Sequence, residues 1–201
     1  MADFGPNDLL DCYARGVFPM ADSRDDPRIY LHDPDMRGII PLDGLRISKS
    51  LQKHMRKSPY HIEFNKNFSR IVDMCAQSTT GREDTWINDG IKYLYAELHA
   101  IGHAHSVECY AGDRLVGGLY GISLGGAFFG ESMFSRATDA SKIALVALVE
   151  RLNARGYSLL DTQFITPHLR TLGAIEIPRS EYHKLLKNAL KIDAVFDGNK
   201  S

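Results

Sequence analysis

The chain has 201 residues, 44% of them hydrophobic and 24% charged, with a formal net charge of −1 at pH 7. That is enough apolar length for one main domain with a small extension, and too little basic excess for a protein that coats nucleic acid by bulk charge. The start MADFGPNDLL has two acids and no apolar run behind a basic flank, no stretch is long and apolar enough to span a bilayer, and Cys12, Cys75 and Cys109 lie far apart without a CxxC pair, so secretion, membrane insertion and a disulfide framework are excluded and a cytoplasmic protein is expected.

Asn7 or Asp8 is placed to cap a short helix through Leu9, Leu10 and Tyr13, which Gly16 ends. VFPM and the acidic, proline-bearing run to about Met36 are read as loops with one short strand from Ile29 to His32. Ser48 caps a basic helix to about Lys57, Ser58-Pro59 stops it, and Tyr60 to Phe64 alternates as a strand. Helices over Phe68 to Ala76 and Ile87 to Ile101 follow. His105 to Tyr110, Leu115 to Ser123 and Ala127 to Phe134 then form three successive antiparallel strands around glycine-bearing turns. Asp139 caps a helix apolar on more than one face, hence buried, and Gly156 ends it. Strands over Tyr157 to Phe164 and Leu172 to Ile177 and a last helix capped by Ser180, to about Leu190, complete an α+β pattern of a sheet layered with helices.

Few residues carry chemistry on this pattern. Lys49, Lys53, Arg56 and Lys57 recur on one helix face within a run, Gly44 to Lys57, that has no acid; they suit either a phosphate backbone or plain solvent. Glu131 stands alone inside the apolar strand around Phe128, Phe129, Met133 and Phe134, where a carboxylate needs an internal cation or a ligand such as an α-ammonium group. Asp161 and Gln163, two apart on a strand, emerge from the same sheet face, in a strand-end network or a reacting centre. His103 and His105, with Glu108 nearby, have metal-ligand spacing, but no further cluster completes a shell, and no metal site is expected. No GxSxG, Walker loop or GxGxxG is present, so serine-hydrolase, P-loop and dinucleotide chemistries have no support.

A set of motifs occurs in order: Tyr13-Ala14-Arg15-Gly16-Val17-Phe18-Pro19, Ile47-Ser48-Lys49-Ser50, Ser58-Pro59-Tyr60, Thr85-Trp86-Ile87, Gly102 to Glu108, Leu115 to Gly118, Gly130-Glu131-Ser132-Met133-Phe134-Ser135-Arg136, Ala140-Ser141-Lys142, Asp161-Thr162-Gln163, Leu172-Gly173-Ala174 and Ile177-Pro178-Arg179. From about Asp8 to Leu190 the chain resembles the leucyl/phenylalanyl-tRNA–protein transferase family. The resemblance implies an acetyltransferase-like (GNAT superfamily) mixed sheet over residues 36–201 behind a small N-terminal domain, 1–35. It assigns Tyr13, Met20, Trp86, Tyr95 and Gly130 to the aminoacyl-adenosine end. Leu119, Phe128, Met133, Leu145, Leu148, Leu152 and Leu160 would form the pocket for the leucyl or phenylalanyl side chain. Glu131 would hold the α-ammonium, Asp161 and Gln163 the reacting centre, and the basic helix the acceptor stem. Two departures stand out: a segment that commonly precedes the Tyr13 helix is nearly absent, and Met20 replaces a tryptophan expected to clamp the terminal adenosine with Trp86.

The reaction so implied is direct attack of a protein's N-terminal amine, that of Arg or Lys, on the aminoacyl ester, with no cofactor and no protein nucleophile, marking the acceptor for degradation. An acetyl-CoA-dependent N-acetyltransferase is the competing reading, disfavoured because the turn from Arg136 to Ser141 has no glycine and contains an acid. An RNA-binding module without catalysis would leave Glu131, Asp161 and Gln163 without a purpose.

Overall fold

The computed structural model describes residues 4–77 and 84–198. Pro6, with a fixed φ suited to a first helical turn, starts α1 (Pro6–Ala14) two residues earlier than a cap at Asn7 would; Gly5 is the N-cap, and Asp8 accepts a hydrogen bond from its N–H at 2.8 Å. Gly16 follows at φ +83°. The expected loop after it is instead a strand, β1 (Phe18–Met20), paired with β2 (Tyr30–His32) in a two-stranded sheet. Next come β3 (Met36–Ile39), the Ser48-capped α2 (Lys49–Lys57), β4 (Tyr60–Phe64) and α3 (Phe68–Cys75). The second central helix, α4 (Asp89–Ala100), starts two residues later than expected, because Asn88 caps it by accepting from Ile91 N–H at 2.8 Å.

The three antiparallel strands form as expected around their turns: β5 (Ala104–Ala111), β6 (Arg114–Leu124) and β7 (Ala127–Ser135). Then follow α5 (Ala140–Arg155), β8 (Leu159–Gln163), the unanticipated short α6 (Pro167–Thr171), β9 (Ile175–Pro178) and α7 (Arg179–Ala189). Leu172 closes α6 rather than opening a strand, and Pro178 rather than Ser180 is the N-cap of α7. Asp139 stands at the N-cap of α5 but makes no side-chain capping bond; its carboxylate is taken by Lys142 and His54.

Seven strands form one mixed sheet in the order β4-β5-β6-β7-β8-β3-β9. Every neighbouring pair is antiparallel except β7 and β8. One core, with residues of α1, α3, α4 and α7, covers one face; another, built on α5 with Leu51 of α2, covers the other. Phe129 and Leu159 belong to the first core, and Phe128 and Leu160 to the second, as strand alternation requires.

Two features of β7 break this regularity. Tyr120 pairs with Ser132 and Gly121 with Gly130, so Glu131 is the extra residue of a β-bulge. The parallel pairing with β8 ends at Phe129 and Asp161, although both strands continue. Beyond that point they separate, and a gap opens in the sheet.

The far edge of the gap is fixed by an ion pair. Arg37, 1% exposed on β3, grips the fully buried Asp161 with Nε at 2.9 Å from Oδ1 and Nη2 at 2.6 Å from Oδ2. Its Nη1 donates to Gly16 O at 2.8 Å, and its guanidinium carbon lies 4.4 Å from the ring centres of both Phe18 and Tyr182. One side chain thus ties the N-terminal segment, β3, β8 and α7 together. Arg37→Met would strand the Asp161 charge, and urea denaturation should show a loss of about 3–5 kcal/mol; a loss below about 1 kcal/mol, the range of exposed pairs, would contradict this role.

Candidate active site

A cavity of about 350 Å³ occupies the gap between β7 and β8. Leu119, Met133, Leu145, Leu148 and Leu160 line its apolar side, on the α5 face, while Tyr120, Glu131 and Gln163 meet it from the opposite face. Residues from both faces share one cavity because the sheet is open there. Met20, Trp86 and Gly130 also line it, so all five of the positions that the resemblance assigns to the aminoacyl-adenosine end sit beside the apolar five or directly behind them, as Tyr13 and Tyr95 do.

Two expected pocket residues do not line it. Phe128 and Leu152 are fully buried; Phe128 stacks on Phe196 with ring centres 5.5 Å apart, and Leu152 lies within the α5 core. Thr162, Phe164, Thr166, His168 and Leu169 line the cavity without having been singled out by the sequence. They run from Thr162, inside β8, into α6, a five-residue helix too short to give a periodic signal.

Glu131 is 9% exposed and has no cation among its described partners. Tyr13 Oη donates to its Oε1 at 2.7 Å, Tyr95 Oη to its Oε2 at 2.7 Å, and Gln163 Nε2 to Oε1 at 3.0 Å. Burial raises both phenols well above their ordinary range, so they remain donors. Burial also lifts Glu131 to about 7, against the opposing hydrogen bonds of Tyr13, Tyr95 and Gln163.

The contacts give the same answer by counting protons. The two phenolic oxygens are also 2.8 Å from each other. If both phenols donate to an ionised Glu131, no hydrogen remains for the contact between them. A protonated Glu131 donates to one tyrosine, which donates to the other, which returns a proton to the carboxyl group, and all three short contacts are satisfied. These contacts favour a neutral Glu131, and an ammonium group in the cavity would supply the charge that favours the carboxylate.

Asp161 and Gln163 share a sheet face, as their spacing predicts, but serve different partners. Asp161 has no exposed surface; besides Arg37, Tyr182 Oη donates to its Oδ2 at 2.7 Å, and the Gln163 backbone N–H to its Oδ1 at 2.7 Å. The direct contact with a substrate amine expected of Asp161 is thus blocked by Arg37 and Tyr182. What Asp161 does is hold Gln163, whose backbone sits at φ +63°, a left-handed conformation costly for a residue with a side chain. In that conformation the Gln163 amide faces the cavity and reaches Glu131.

Outside the cavity, Lys49, Lys53, Arg56 and Lys57 are all exposed along α2, and none has an ion-pair partner among the described residues, while Leu51 anchors the helix at 2% exposure. On the same helix, His54 Nδ1 lies 3.1 Å from Asp139 Oδ2, at the start of α5. Leu145 and Leu148 of α5 line the cavity, so the basic face and the cavity are joined by one short path. His103 and His105 bond separately, to Ser123 O and Asn65, and Glu108 accepts from Asn67 N–H, Ser106 and Tyr110.

The family model described as leucyl/phenylalanyl-tRNA protein transferase matches residues 39–187, and that of the family's N-terminal domain matches residues 2–35. Over 197 residues the chain is 61% identical to the leucyl/phenylalanyl-tRNA–protein transferase of Hyphomonas neptunium, covering 98% of this chain and 76% of that one. It is 61% identical over 196 residues to the enzyme of the same name from Maricaulis maris, covering 98% and 91% of the two chains. With that of Phenylobacterium zucineum, identity is 58% over 196 residues, covering 98% and 89%. Among solved structures, that of L-PGS from Bacillus licheniformis superposes with a TM-score of 0.46 at 12% identity over 65% of this chain and 46% of that one, too loosely to carry an argument.

The protonation of Glu131 has a measurable sign. Its folded value, about 7, lies above its ordinary 4.5, so the group favours the fold fully below 4.5, and that contribution is lost as pH rises through 7. Glu131→Gln removes the term. The stability of the natural protein relative to the variant should therefore fall by about 3 kcal/mol between acidic and alkaline pH in parallel denaturation series. A difference independent of pH would refute the raised value.

Proposed function

Because the chain belongs to the leucyl/phenylalanyl-tRNA–protein transferase family, we propose that the cavity holds the aminoacyl-adenosine end of an aminoacyl-tRNA and passes its leucyl or phenylalanyl group to the N-terminal amine of an acceptor protein. The observation that carries this reading is Glu131 at the head of an apolar cavity: a single ionisable acid, held by neutral donors, beside walls of leucine and methionine. That is the complement of an α-ammonium attached to an aliphatic or aromatic side chain. Trp86 stacks on the terminal base, with Met20 as a softer apolar contact. The exposed cations of α2 track the acceptor-stem phosphates.

The ester is already activated, so the work of the site is to position the attacking amine and stabilise the oxyanion that forms. Gln163 lines the cavity and donates its second amide hydrogen to that oxyanion, while Asp161 and Arg37 fix it in place. Acceptors carry an N-terminal Arg or Lys and are thereby marked for degradation in the cytoplasm. We assign residues 1–35 to a small N-terminal domain and 36–201 to a catalytic domain with an acetyltransferase-like sheet. Acetyl-CoA fits less well, because the turn into α5 presents Asp139 rather than glycine amides to a pyrophosphate.

Incubation with Leu-tRNA and a peptide beginning with Arg should raise the peptide mass by one leucine, and acetyl-CoA in place of the tRNA should leave it unchanged; the reverse would overturn the reading. In the same assay Ile-tRNA should react at least about tenfold more slowly, through clash at its branched Cβ. Lys53→Glu with Arg56→Glu should weaken tRNA binding independently of sequence and flatten its salt dependence by a slope of roughly 1.5. Unchanged affinity and slope would make α2 a solvated face.

A further inference from the structure

Among the described residues, three buried polar side-chain atoms have no hydrogen-bond partner: Tyr120 Oη, Thr162 Oγ1 and His168 Nε2. All three residues line the Glu131 cavity. A leucyl or phenylalanyl side chain satisfies none of them, and a buried polar atom without a partner costs on the order of 1–3 kcal/mol. Their partners belong to the polar part of the reacting complex: the ester, the ribose or the incoming amine.

The transfer also has a proton to move. An α-ammonium of ordinary pKa near ~8 is mostly protonated at neutral pH, the attacking nitrogen carries a surplus proton once its C–N bond forms, and the ribose oxygen departs as an alcohol only if it receives one. Most groups around the cavity are unsuited to this exchange. The Gln163 amide and Thr162 hydroxyl do not titrate in this range, and burial holds the Tyr120 phenol well above it. Glu131 is committed to the α-ammonium of the aminoacyl group, and Asp161 is enclosed by Arg37 and Tyr182.

His168 remains. It stands second in α6, where Thr166 caps the helix by accepting from Leu169 N–H at 3.2 Å, and its own carbonyl accepts from Thr171 Oγ1 at 2.7 Å. Its charged neighbours are Lys142 of α5 and Asp139, paired with each other at 2.7 Å, with His54 of α2 on Asp139. Burial first, and Lys142 second, hold the imidazole below its ordinary 6.5, opposed by Asp139. At neutral pH the ring is uncharged and Nε2 is free to accept.

Resting on the aminoacyl transfer proposed above, we propose that His168 is the proton shuttle of the reaction: Nε2 takes a proton from the attacking amine nitrogen as the C–N bond forms and returns it to the ribose oxygen as the ester C–O bond breaks. The imidazole ends neutral, as it began, and nothing is oxidised or reduced.

The test is single-turnover transfer from Leu-tRNA to a peptide beginning with Arg, at saturating enzyme and across pH, for the natural protein, His168→Gln and His168→Ala. His168→Gln should be about 100-fold slower with unchanged Leu-tRNA affinity, and should lose the rate rise below pH 6.5 while keeping that of the amine near ~8. His168→Ala should regain rate when imidazole is added. A natural rate and pH profile in His168→Gln, a rate restored by more peptide or tRNA, or no imidazole rescue would overturn the shuttle. If the natural protein itself transfers no leucine, the aminoacyl-transfer reading fails; if it does and His168→Gln matches it, the shuttle alone fails.

Discussion

A carboxyl group buried, among the described residues, without a cation is the constraint around which this site is arranged. Glu131 has two phenols and an amide for partners, and those neutral donors satisfy its oxygens without fixing its charge. Thirty residues along the chain, Asp161 has the opposite environment, a guanidinium on both oxygens and no exposed surface. The two acids therefore part company: one is poised near neutrality and faces a cavity, the other is gripped on both oxygens by a guanidinium and faces only protein. That separation of roles by environment marks a working site more sharply than either residue alone.

The supporting fold follows from the same pair. The bulge at Glu131 turns its carboxyl toward α1 and α4, and lets Phe128 and Met133, five apart, point to the same α5 side. Arg37, placed by β3 against β8, holds Asp161, Asp161 holds the left-handed backbone of Gln163, and Gln163 reaches Glu131 across the gap. The cavity exists because β7 and β8 stop pairing at Phe129 and Asp161. Helix α5 closes its apolar side and meets α2 through Asp139 and His54, which brings the exposed cations to the same end of the molecule.

Much of this was legible in the sequence where the signal was local. The three central strands announced themselves by the glycine-bearing turns between them, and Glu131 by being the one acid in an apolar strand. The misses have physical causes as well. Strand β1 is only three residues long and contains Pro19, so it read as a loop. Strand β3 carries Arg37 where an apolar residue would mark a buried strand, and its partner lies 124 residues away, beyond any local pattern. Asp161 showed the right face but not its enclosure, because enclosure is made by Arg37 and Tyr182 from distant elements. Phe128 and Leu152 have the hydrophobicity of pocket residues, and only packing separates a wall from the core behind it. His168 gave no sign at all, since a lone histidine acquires meaning only when the cavity around it is formed.

The central claim is that Glu131 waits near neutrality and becomes an anion when an α-ammonium arrives. The most direct measurement is a titration of the Glu131 carboxyl carbon by NMR, in the free protein and with a non-hydrolysable, amide-linked leucyl-adenosine. The account predicts a midpoint of about 7 in the free protein and a value well below it in the complex. A free midpoint near the ordinary 4.5, or one that the ligand leaves in place, would contradict it.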